Sequence, residues 1–245
     1  MRDIQRPLTG NMLKWIAAIC MVIDHVGFMF YPHLTVLRII GRLSFPIFCF
    51  MIAEGCRYTK NKLRYFLTIF LLASGCQVVY YLFDHSLYMC VLVTFSLAIL
   101  VIYAMQYAKD ACFSPTAPAA IKGLAVLTLL TALLLLRLAN EWLTVDYGFW
   151  GCLVPVFAAL PQAPRQHAPG WWQKVDTVPV RVLSLGVGLL LLAWSFGDIQ
   201  IYSLLAVPLL LLYSGKRGRA RMKYFFYVFY PLHLALLEGL YLLWH

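Results

Sequence analysis

The chain has 245 residues, of which 62% are hydrophobic and only 12% are charged. A soluble domain carries roughly a quarter of its residues as charged side chains, so this composition excludes an ordinary water-exposed globular protein. The formal net charge of +10 does not by itself indicate nucleic-acid binding, because the basic residues are confined to particular segments between apolar stretches.

Apolar stretches of the length that crosses a bilayer as a helix recur along the whole chain. They lie at 12–31, 36–56, 63–83, 88–107, 119–140, 149–162, 180–197, 199–214 and 224–244. The sixth is short, and only Gly197 and Asp198 separate the seventh from the eighth. We therefore predict an all-α polytopic membrane protein with about nine spanning helices, within a range of about eight to ten. Residues 1–245 are expected to form a single transmembrane domain.

The basic residues predict how these helices are oriented, because loops rich in Lys and Arg remain in the cytoplasm. Seventeen of the twenty Lys and Arg residues lie in the N-terminal segment or near the loops that follow even-numbered stretches. The other three are Arg38, Arg42 and Arg137. We therefore expect a cytoplasmic N-terminus and a C-terminus on the outer, periplasmic side. Such loops are topology determinants or contacts for anionic lipid, so we expect membrane lipids and no nucleic acid as partners.

The Pro-rich segment 162–179 follows the sixth apolar stretch and contains the pair Trp171 and Trp172. Indole rings favour the boundary between lipid and water. We therefore predict that this segment is a cytoplasmic loop seated at the membrane interface.

A few ionisable residues lie inside the apolar stretches, where charge is costly unless it is paired or hydrated. They are Asp24, His25, Arg38, Arg42, Glu54, His233 and Glu238. Arg38 and Arg42 share a helix face, so their guanidinium groups can present a joint positive surface to an anion. Counting residues inward from the ends places His25 and His233 near the middle of their helices, Arg42 towards the outer end and Glu54 near the inner end.

The neighbouring residues Asp24 and His25 are the first candidate for chemistry. A histidine beside a carboxylate in a restricted site suits general-base catalysis on an amine or alcohol, and it equally suits a proton relay. Adjacent residues of a helix point about 100° apart, so Asp24 can instead pair with an arginine. The alternative role of Arg38 and Arg42 is to anchor the helix at the outer interface.

Prolines and an aspartate mark further candidate positions. Pro46 follows Arg42 and Pro231 precedes His233, so both helices are expected to be kinked there. His233 has the alternative role of a hydrogen-bonded packing residue. Asp146 opens the sixth stretch, where it is either a site residue or a helix cap.

Four segments of the chain resemble the TraX family when they are taken together and in order. They are TGNMLKWIAAICMVIDHVG (9–27), LRIIGRLSFPIFCFMIAEG (37–55), VDYGFWGCL (145–153) and KYFFYVFYPLHLALL (223–237). The resemblance implies a bacterial inner-membrane protein of a conjugative system that acetylates the N-terminal amine of pilin subunits. The family is also similar to a wider group of transmembrane acyltransferases, which use a membrane-embedded histidine and nearby arginines.

The resemblance also implies roles for individual residues. His25 would be the general base, Asp24 its partner, and Arg38 and Arg42 the groups that hold an anionic part of the donor or the developing negative charge. Residues expected in substrate or donor binding are His233, Glu54, Tyr230, Asp146 and Tyr147. The implied donor is acetyl-CoA, entering from the cytoplasm with its phosphates near the basic loops at 57–64 and 216–223. No metal site is expected, because the cysteines and histidines lack ligand spacing.

Two other functions use the same residues. One is an O-acyltransferase that modifies an envelope glycan or lipid, so the acceptor is either pilin or another envelope component. The other is a proton-coupled transporter in which Asp24, His25 and His233 relay protons. Transporters often have two matching halves with broken helices, and no such repeat is apparent in the sequence.

Overall fold

A computed structural model describes residues 6–218 and 223–244. Its α-helices are α1 (Gly10–Met29), α2 (Thr35–Gly41), α3 (Ser44–Tyr58), α4 (Lys62–Asp84), α5 (Val91–Phe113), α6 (Ala119–Trp142), α7 (Gly148–Ala159), α8 (Gly170–Val175), α9 (Val178–Phe196), α10 (Ala206–Leu211) and α11 (Lys223–Trp244). A 3-10 helix, Asp198–Leu205, precedes α10. Within the described ranges the only β structure consists of two isolated bridges, which confirms the predicted all-α class. Residues 219–222, part of the basic loop before the last helix, lie outside the described residues.

Six helical segments of the described chain are long and apolar enough to cross a membrane. They are Gly10–Met29, Thr35–Tyr58, Lys62–Leu82, Val91–Phe113, Ala119–Trp142 and Val178–Phe196. Three shorter apolar helical segments are Gly148–Ala159, Ile199–Leu211 and Val228–Leu243. Each predicted apolar stretch therefore contains a helix, and the chain is a polytopic membrane protein.

The second apolar stretch is interrupted where the sequence predicts a kink. Helix α2 ends at Gly41 and α3 begins at Ser44, with Arg42 as the C-terminal cap of α2. Pro46 thereby falls in the first turn of α3, where its missing N–H costs no helical hydrogen bond. The other flagged proline, Pro231, lies inside α11.

The chain divides into two compact units, and the boundaries between them fall inside α3 and α9. The first unit comprises the residues up to Met51 together with those from Leu189 onward. In it, α1 packs against α2 and α11, and α2 packs against the 3-10 helix. The start of α1 is tied down by backbone hydrogen bonds, including Gly10 N–H to the carbonyl oxygen of Lys216 at 2.8 Å.

The second unit comprises Ile52–Gly188 and is centred on α5, which packs against α4, α6 and α7. Part of its core is a cluster of buried apolar residues. They are Val101, Leu136, Val145 and Cys152. The predicted interfacial loop, 162–179, contains the short helix α8, and its Trp171 and Trp172 rings stack with centroids 5.2 Å apart. The position of this loop at a membrane surface stays a prediction.

Candidate functional site

Two glycines allow α1 and α2 to approach closely. A Cβ atom on Gly27 would lie 2.6 Å from the Cβ of Leu37, which is closer than real side chains come. A Cβ atom on Gly41 would collide with the carboxyl group of Asp24. Because glycine has no side chain, the Asp24 carboxylate can lie directly against the backbone of α2. The two helices thus meet at the point where the predicted site residues lie.

The Asp24 carboxylate is the partner of both arginines. Arg42 Nη2 lies 2.9 Å from Oδ1 and 3.0 Å from Oδ2, while Arg38 Nη1 lies 3.0 Å from Oδ2. Arg38 Nη1 also donates to the backbone carbonyl of Asp24, and its guanidinium lies 5.0 Å from the centroid of the Phe28 ring. The predicted alternative, in which Asp24 pairs with arginine, is therefore the one found. Two cations on one carboxylate leave one positive charge in excess.

His25 is oriented by the backbone of its own helix. Its Nδ1 lies 2.7 Å from the carbonyl oxygen of Met21, one turn earlier in α1. A carbonyl oxygen only accepts hydrogen bonds, so Nδ1 carries the proton and Nε2 is the basic nitrogen of the neutral ring. Asp24, which the resemblance makes the partner of His25, is instead the partner of the arginines. The structure also places His25 four residues before the end of α1 and not near the middle of that helix.

His233 adjoins His25 in the first unit. The two imidazole rings meet edge to face, with centroids 5.1 Å apart and planes at 77°. The Nδ1 of His233 lies 3.0 Å from the carbonyl oxygen of Phe229, so its Nε2 is also the basic nitrogen. Tyr230, which is predicted to take part in substrate binding, meets the His233 ring edge to face, with ring centroids 5.6 Å apart. The structure thus brings the predicted residues of α1, α2 and α11 together.

Buried polar atoms of this unit that lack hydrogen-bond partners among the described residues include Nε2 of His233, an acceptor, Nε2 of Gln200, a donor, and the hydroxyl of Ser203. Gln200 is held by its other amide atom, because Oε1 accepts a hydrogen bond from Arg42 Nη1 at 3.3 Å. A buried polar atom without a partner is costly, so such atoms commonly mark the place of a ligand or an ordered water molecule.

Glu54 belongs to the second unit, where it forms a buried ion pair with Arg181. Arg181 Nε also lies 3.4 Å from Oδ1 of Asp176, and Asp176 bonds Arg57 Nη1 at 2.5 Å. These alternating charges pair with one another, which reduces the cost of keeping ionised groups out of water. The structure therefore gives Glu54 a partner that explains its burial, and its role in donor binding stays a prediction.

Asp146 and Tyr147 also belong to the second unit. The N-cap residue of α7 is Tyr147, not Asp146, and Tyr147 has a left-handed backbone with φ of 60°. Asp146 Oδ1 accepts a hydrogen bond from the hydroxyl of Tyr88 at 2.7 Å, and its backbone oxygen accepts one from Thr94. These contacts join the loop before α7 to the loop before α5 and to the start of α5 itself. The predicted role of the two residues in substrate binding stays a prediction.

Some contributors to these sites are not singled out by the sequence. Gln200 lies in an apolar stretch, where a polar amide is a signal, but its contact with Arg42 spans 158 residues of chain. Arg181 is assigned only to a basic loop, although it falls at the start of the stretch 180–197. Gly41 carries no signal at all, because only the packing of α1 against α2 requires a residue without a side chain.

Comparisons with known proteins identify relatives of the chain. The TraX protein family matches residues 9–241. The probable fimbrial assembly protein FimC, serogroup H1, of Dichelobacter nodosus is 28% identical over 254 aligned residues, which cover 92% of each chain. An uncharacterized protein of Rickettsia prowazekii (strain Madrid E) is 48% identical over 54 residues, only 22% of this chain and 21% of that protein. No solved structure matches the chain. Because the family match runs from the start of α1 almost to the end of α11, and so includes Asp24 and His233, the chain belongs to the TraX family.

Proposed function

We propose that the chain is an acetyltransferase of the bacterial inner membrane that moves the acetyl group of cytoplasmic acetyl-CoA to the N-terminal amine of a pilin subunit. The observation that carries the proposal is the geometry of His25, whose bond to Met21 leaves Nε2 as a base beside a second histidine. Membership of the TraX family is consistent with a pilin-related function in conjugation. A relative named for fimbrial assembly supports the same class of acceptor.

The first chemical step needs a base and a site for negative charge. The nitrogen of the acceptor amine attacks the carbonyl carbon of the thioester, and His25 Nε2 takes a proton from that amine. The carbonyl oxygen becomes an oxyanion, which the net positive charge of the Arg38–Asp24–Arg42 group stabilises. Because Asp24 holds both guanidinium groups in place, these groups need to move little when the negative charge of the oxyanion develops.

The second step breaks the bond between the carbonyl carbon and sulfur. The tetrahedral intermediate collapses, the amide forms, and CoA leaves as a thiol after receiving the proton from the His25 imidazolium. His233 Nε2 is available to accept a hydrogen bond from the acceptor or from the protonated His25. An acceptor hydroxyl on an envelope glycan or lipid would react in the same way, so the acceptor has to be identified by experiment.

The proposal includes nine spanning helices, a cytoplasmic N-terminus and a periplasmic C-terminus. The distribution of basic residues supports this orientation. Helix α7 has 12 residues and is about 18 Å long, which is short for a hydrocarbon core of about 30 Å. Its span therefore needs the flanking segments as well as the helix.

Thiol labelling tests the orientation. A cysteine replacing exposed His167 is expected to react with a membrane-impermeant maleimide only after the cells are opened, because loop 162–179 is predicted to be cytoplasmic. A cysteine replacing exposed Glu141 is expected to react in intact cells. Both are made in a Cys112→Ser background, because Cys112 is an exposed native cysteine. The reverse labelling pattern would contradict the orientation.

The transferase itself is tested with purified protein, acetyl-CoA and a peptide with the pilin N-terminus. We expect His25→Ala to lower acetyl transfer by about 100- to 10,000-fold, because a positioned general base contributes about that factor. The measurements are the release of CoA thiol and a gain of about 42 Da, one acetyl group, on the peptide. Equal transfer by His25→Ala and wild type would show that His25 is not the base.

His33→Ala is the matched control, because His33 is an exposed histidine of the same unit and is expected to leave transfer unchanged. Transfer to an envelope glycan but not to the peptide would favour the O-acyltransferase. Proton-coupled flux into vesicles that contain no thioester would favour the transporter.

A further inference from the structure

The second unit contains a cavity, lined in part by polar side chains, that the proposed mechanism does not use. The cavity has a volume of about 230 Å³. Its polar lining consists of Arg57, Tyr58, Gln106, Gln162, Arg165 and Asp176, and we call it the Arg57–Arg165 cavity. The volume is below the roughly 300–1,000 Å³ of a typical ligand pocket, so it suits part of a larger molecule.

Both arginines keep hydrogen-bond donors for a ligand. Arg165 uses Nη2 for the carbonyl oxygens of Cys56, at 2.7 Å, and Arg57, at 3.1 Å. Its Nε and Nη1 have no partner in the part of the chain that the structure describes. Arg57 uses Nη1 for Asp176, and its Nε and Nη2 likewise lack partners among the described residues. Guanidinium groups with free N–H donors in one cavity are suited to phosphate oxygens.

The local charge balance also favours an anion. Four cationic side chains and three carboxylates lie at or next to the cavity. They are Arg57, Lys109, Arg165 and Arg181, with Glu54, Asp110 and Asp176. One positive charge remains in excess. Asp176, the only carboxylate among the described lining residues, is bonded to Arg57 and also accepts a hydrogen bond from the backbone of Ala163.

The side-chain amides of Gln162 and Gln106 are hydrogen-bonded in series, and the last oxygen of the series has no donor. Gln162 Nε2 donates to the carbonyl oxygen of Ala53 at 3.2 Å, and a carbonyl only accepts, so the orientation of the Gln162 amide is determined. Its Oε1 therefore accepts the hydrogen bond from Gln106 Nε2 at 3.2 Å. Gln106 Oε1 is then left buried and without a partner among the described residues. Gln106 is only 6% exposed, so a donor for Oε1 has to come from a molecule that enters the cavity it lines.

We infer that the Arg57–Arg165 cavity binds the phosphate-bearing portion of the acyl-CoA donor. Its phosphate oxygens accept hydrogen bonds from Arg57 and Arg165, and an N–H or O–H group of the adjoining pantetheine donates to Gln106 Oε1. An organic phosphate that also carries a donor is the chemistry that satisfies all three residues. The inference rests on the proposed function, because it names where the donor of that reaction is held.

Kinetics with two donors test the inference on the full-length protein. Acetyl-CoA carries the phosphates, whereas S-acetyl-pantetheine has the same thioester without them. We expect Arg165→Gln to raise the KM for acetyl-CoA by about 10- to 100-fold, the factor that one or two charge-assisted hydrogen bonds provide. The KM for S-acetyl-pantetheine is expected to stay within about twofold, because this donor has no phosphate for Arg165 to bind.

Two further variants make the test specific. Lys174→Gln removes the same charge from an exposed position outside the cavity lining, in a loop on the same predicted side, and is expected to leave both KM values unchanged. Arg165→Lys keeps the charge but loses the forked geometry, so an intermediate KM for acetyl-CoA is expected. If Arg165→Gln impairs both donors equally, the residue is only structural and the inference is wrong.

Other outcomes separate this inference from the proposed function. If the protein transfers acetyl groups but Arg165→Gln leaves the KM for acetyl-CoA unchanged, the proposed transferase function is supported and the cavity assignment is wrong. If CoA binding, measured by calorimetry, depends on Arg165 while no acetyl transfer occurs, the cavity is a CoA-binding site and the proposed transferase function is wrong. If Arg165→Gln instead loses co-purified phosphatidylglycerol in native mass spectrometry, with CoA binding unchanged, the cavity is a lipid site and the inference fails.

Discussion

Asp24→Asn is expected to destabilise the protein by about 3 kcal/mol, because it leaves two guanidinium groups without their anion. The side chains of Arg42 and Arg38 are only 11% and 26% exposed, so water screens their repulsion weakly. Asparagine has nearly the same shape as aspartate, so the packing of α1 against α2 is retained and the charge is what changes. The measurement is the free energy of unfolding of the purified protein in mixed micelles.

A double variant and a surface control make the cause identifiable. Arg38→Gln added to Asp24→Asn is expected to recover part of the lost stability, because it removes one of the two unpaired cations. Glu141→Gln breaks the exposed pair of Arg137 and Glu141, whose side chains are 58% and 48% exposed. That change is expected to cost less than about 0.5 kcal/mol. Equal losses for Asp24→Asn and Glu141→Gln would show that the Asp24 carboxylate is not held as described.

Gly41→Ala is expected to destabilise the protein by about 2 kcal/mol and to abolish acetyl transfer, because the new Cβ would occupy the place of the Asp24 carboxyl group. The carboxylate is held by both arginines and cannot move without breaking at least one ion pair. Replacing glycine by alanine inside a helix normally stabilises the helix by about 1 kcal/mol. A loss of stability in Gly41→Ala would therefore come from the steric contact and not from helix propensity. Thermal unfolding and acetyl transfer are measured on the same preparation.

Gly239→Ala is the matched control for Gly41→Ala. Gly239 is a helical glycine of the same unit, and a Cβ atom there has no neighbour within 4 Å. We expect this variant to transfer acetyl groups normally and to be as stable as wild type or slightly more stable. If both glycine variants behave alike, the close approach of α2 to Asp24 is not required for the site.

Much of the fold is predictable because the bilayer leaves few choices. Backbone polar groups have no water to bind in the hydrocarbon region, so an apolar stretch of sufficient length forms a helix. Each of the nine predicted stretches contains helix in the structure, and the interruption before Pro46 lies where the sequence predicts it. The short α7 and the 3-10 helix before α10 are not predictable in this way, because packing within each unit decides their lengths and types.

The candidate site is predictable as a set of residues but not as a set of contacts. Charge inside an apolar stretch is costly, and this cost selects seven residues, of which Asp24, His25, Arg38, Arg42 and His233 form the candidate site. The partner of each residue is a separate question. The bond from Arg38 to Asp24 spans 14 residues, and the pair of Arg181 and Glu54 spans 127, so no local period relates them.

Hydropathy along the chain is enough to identify a helical membrane protein, and the cost of buried charge is enough to identify the ionisable residues that require an explanation. Hydropathy and the cost of buried charge act on each residue separately, so they can be evaluated without a structure. Three facts are visible only in the folded chain: Asp24 pairs with the arginines, His25 is oriented by Met21, and position 41 has no room for a side chain. Those facts depend on which helix faces meet, because a hydrogen bond or a steric contact exists only between atoms that packing has brought within a few ångströms.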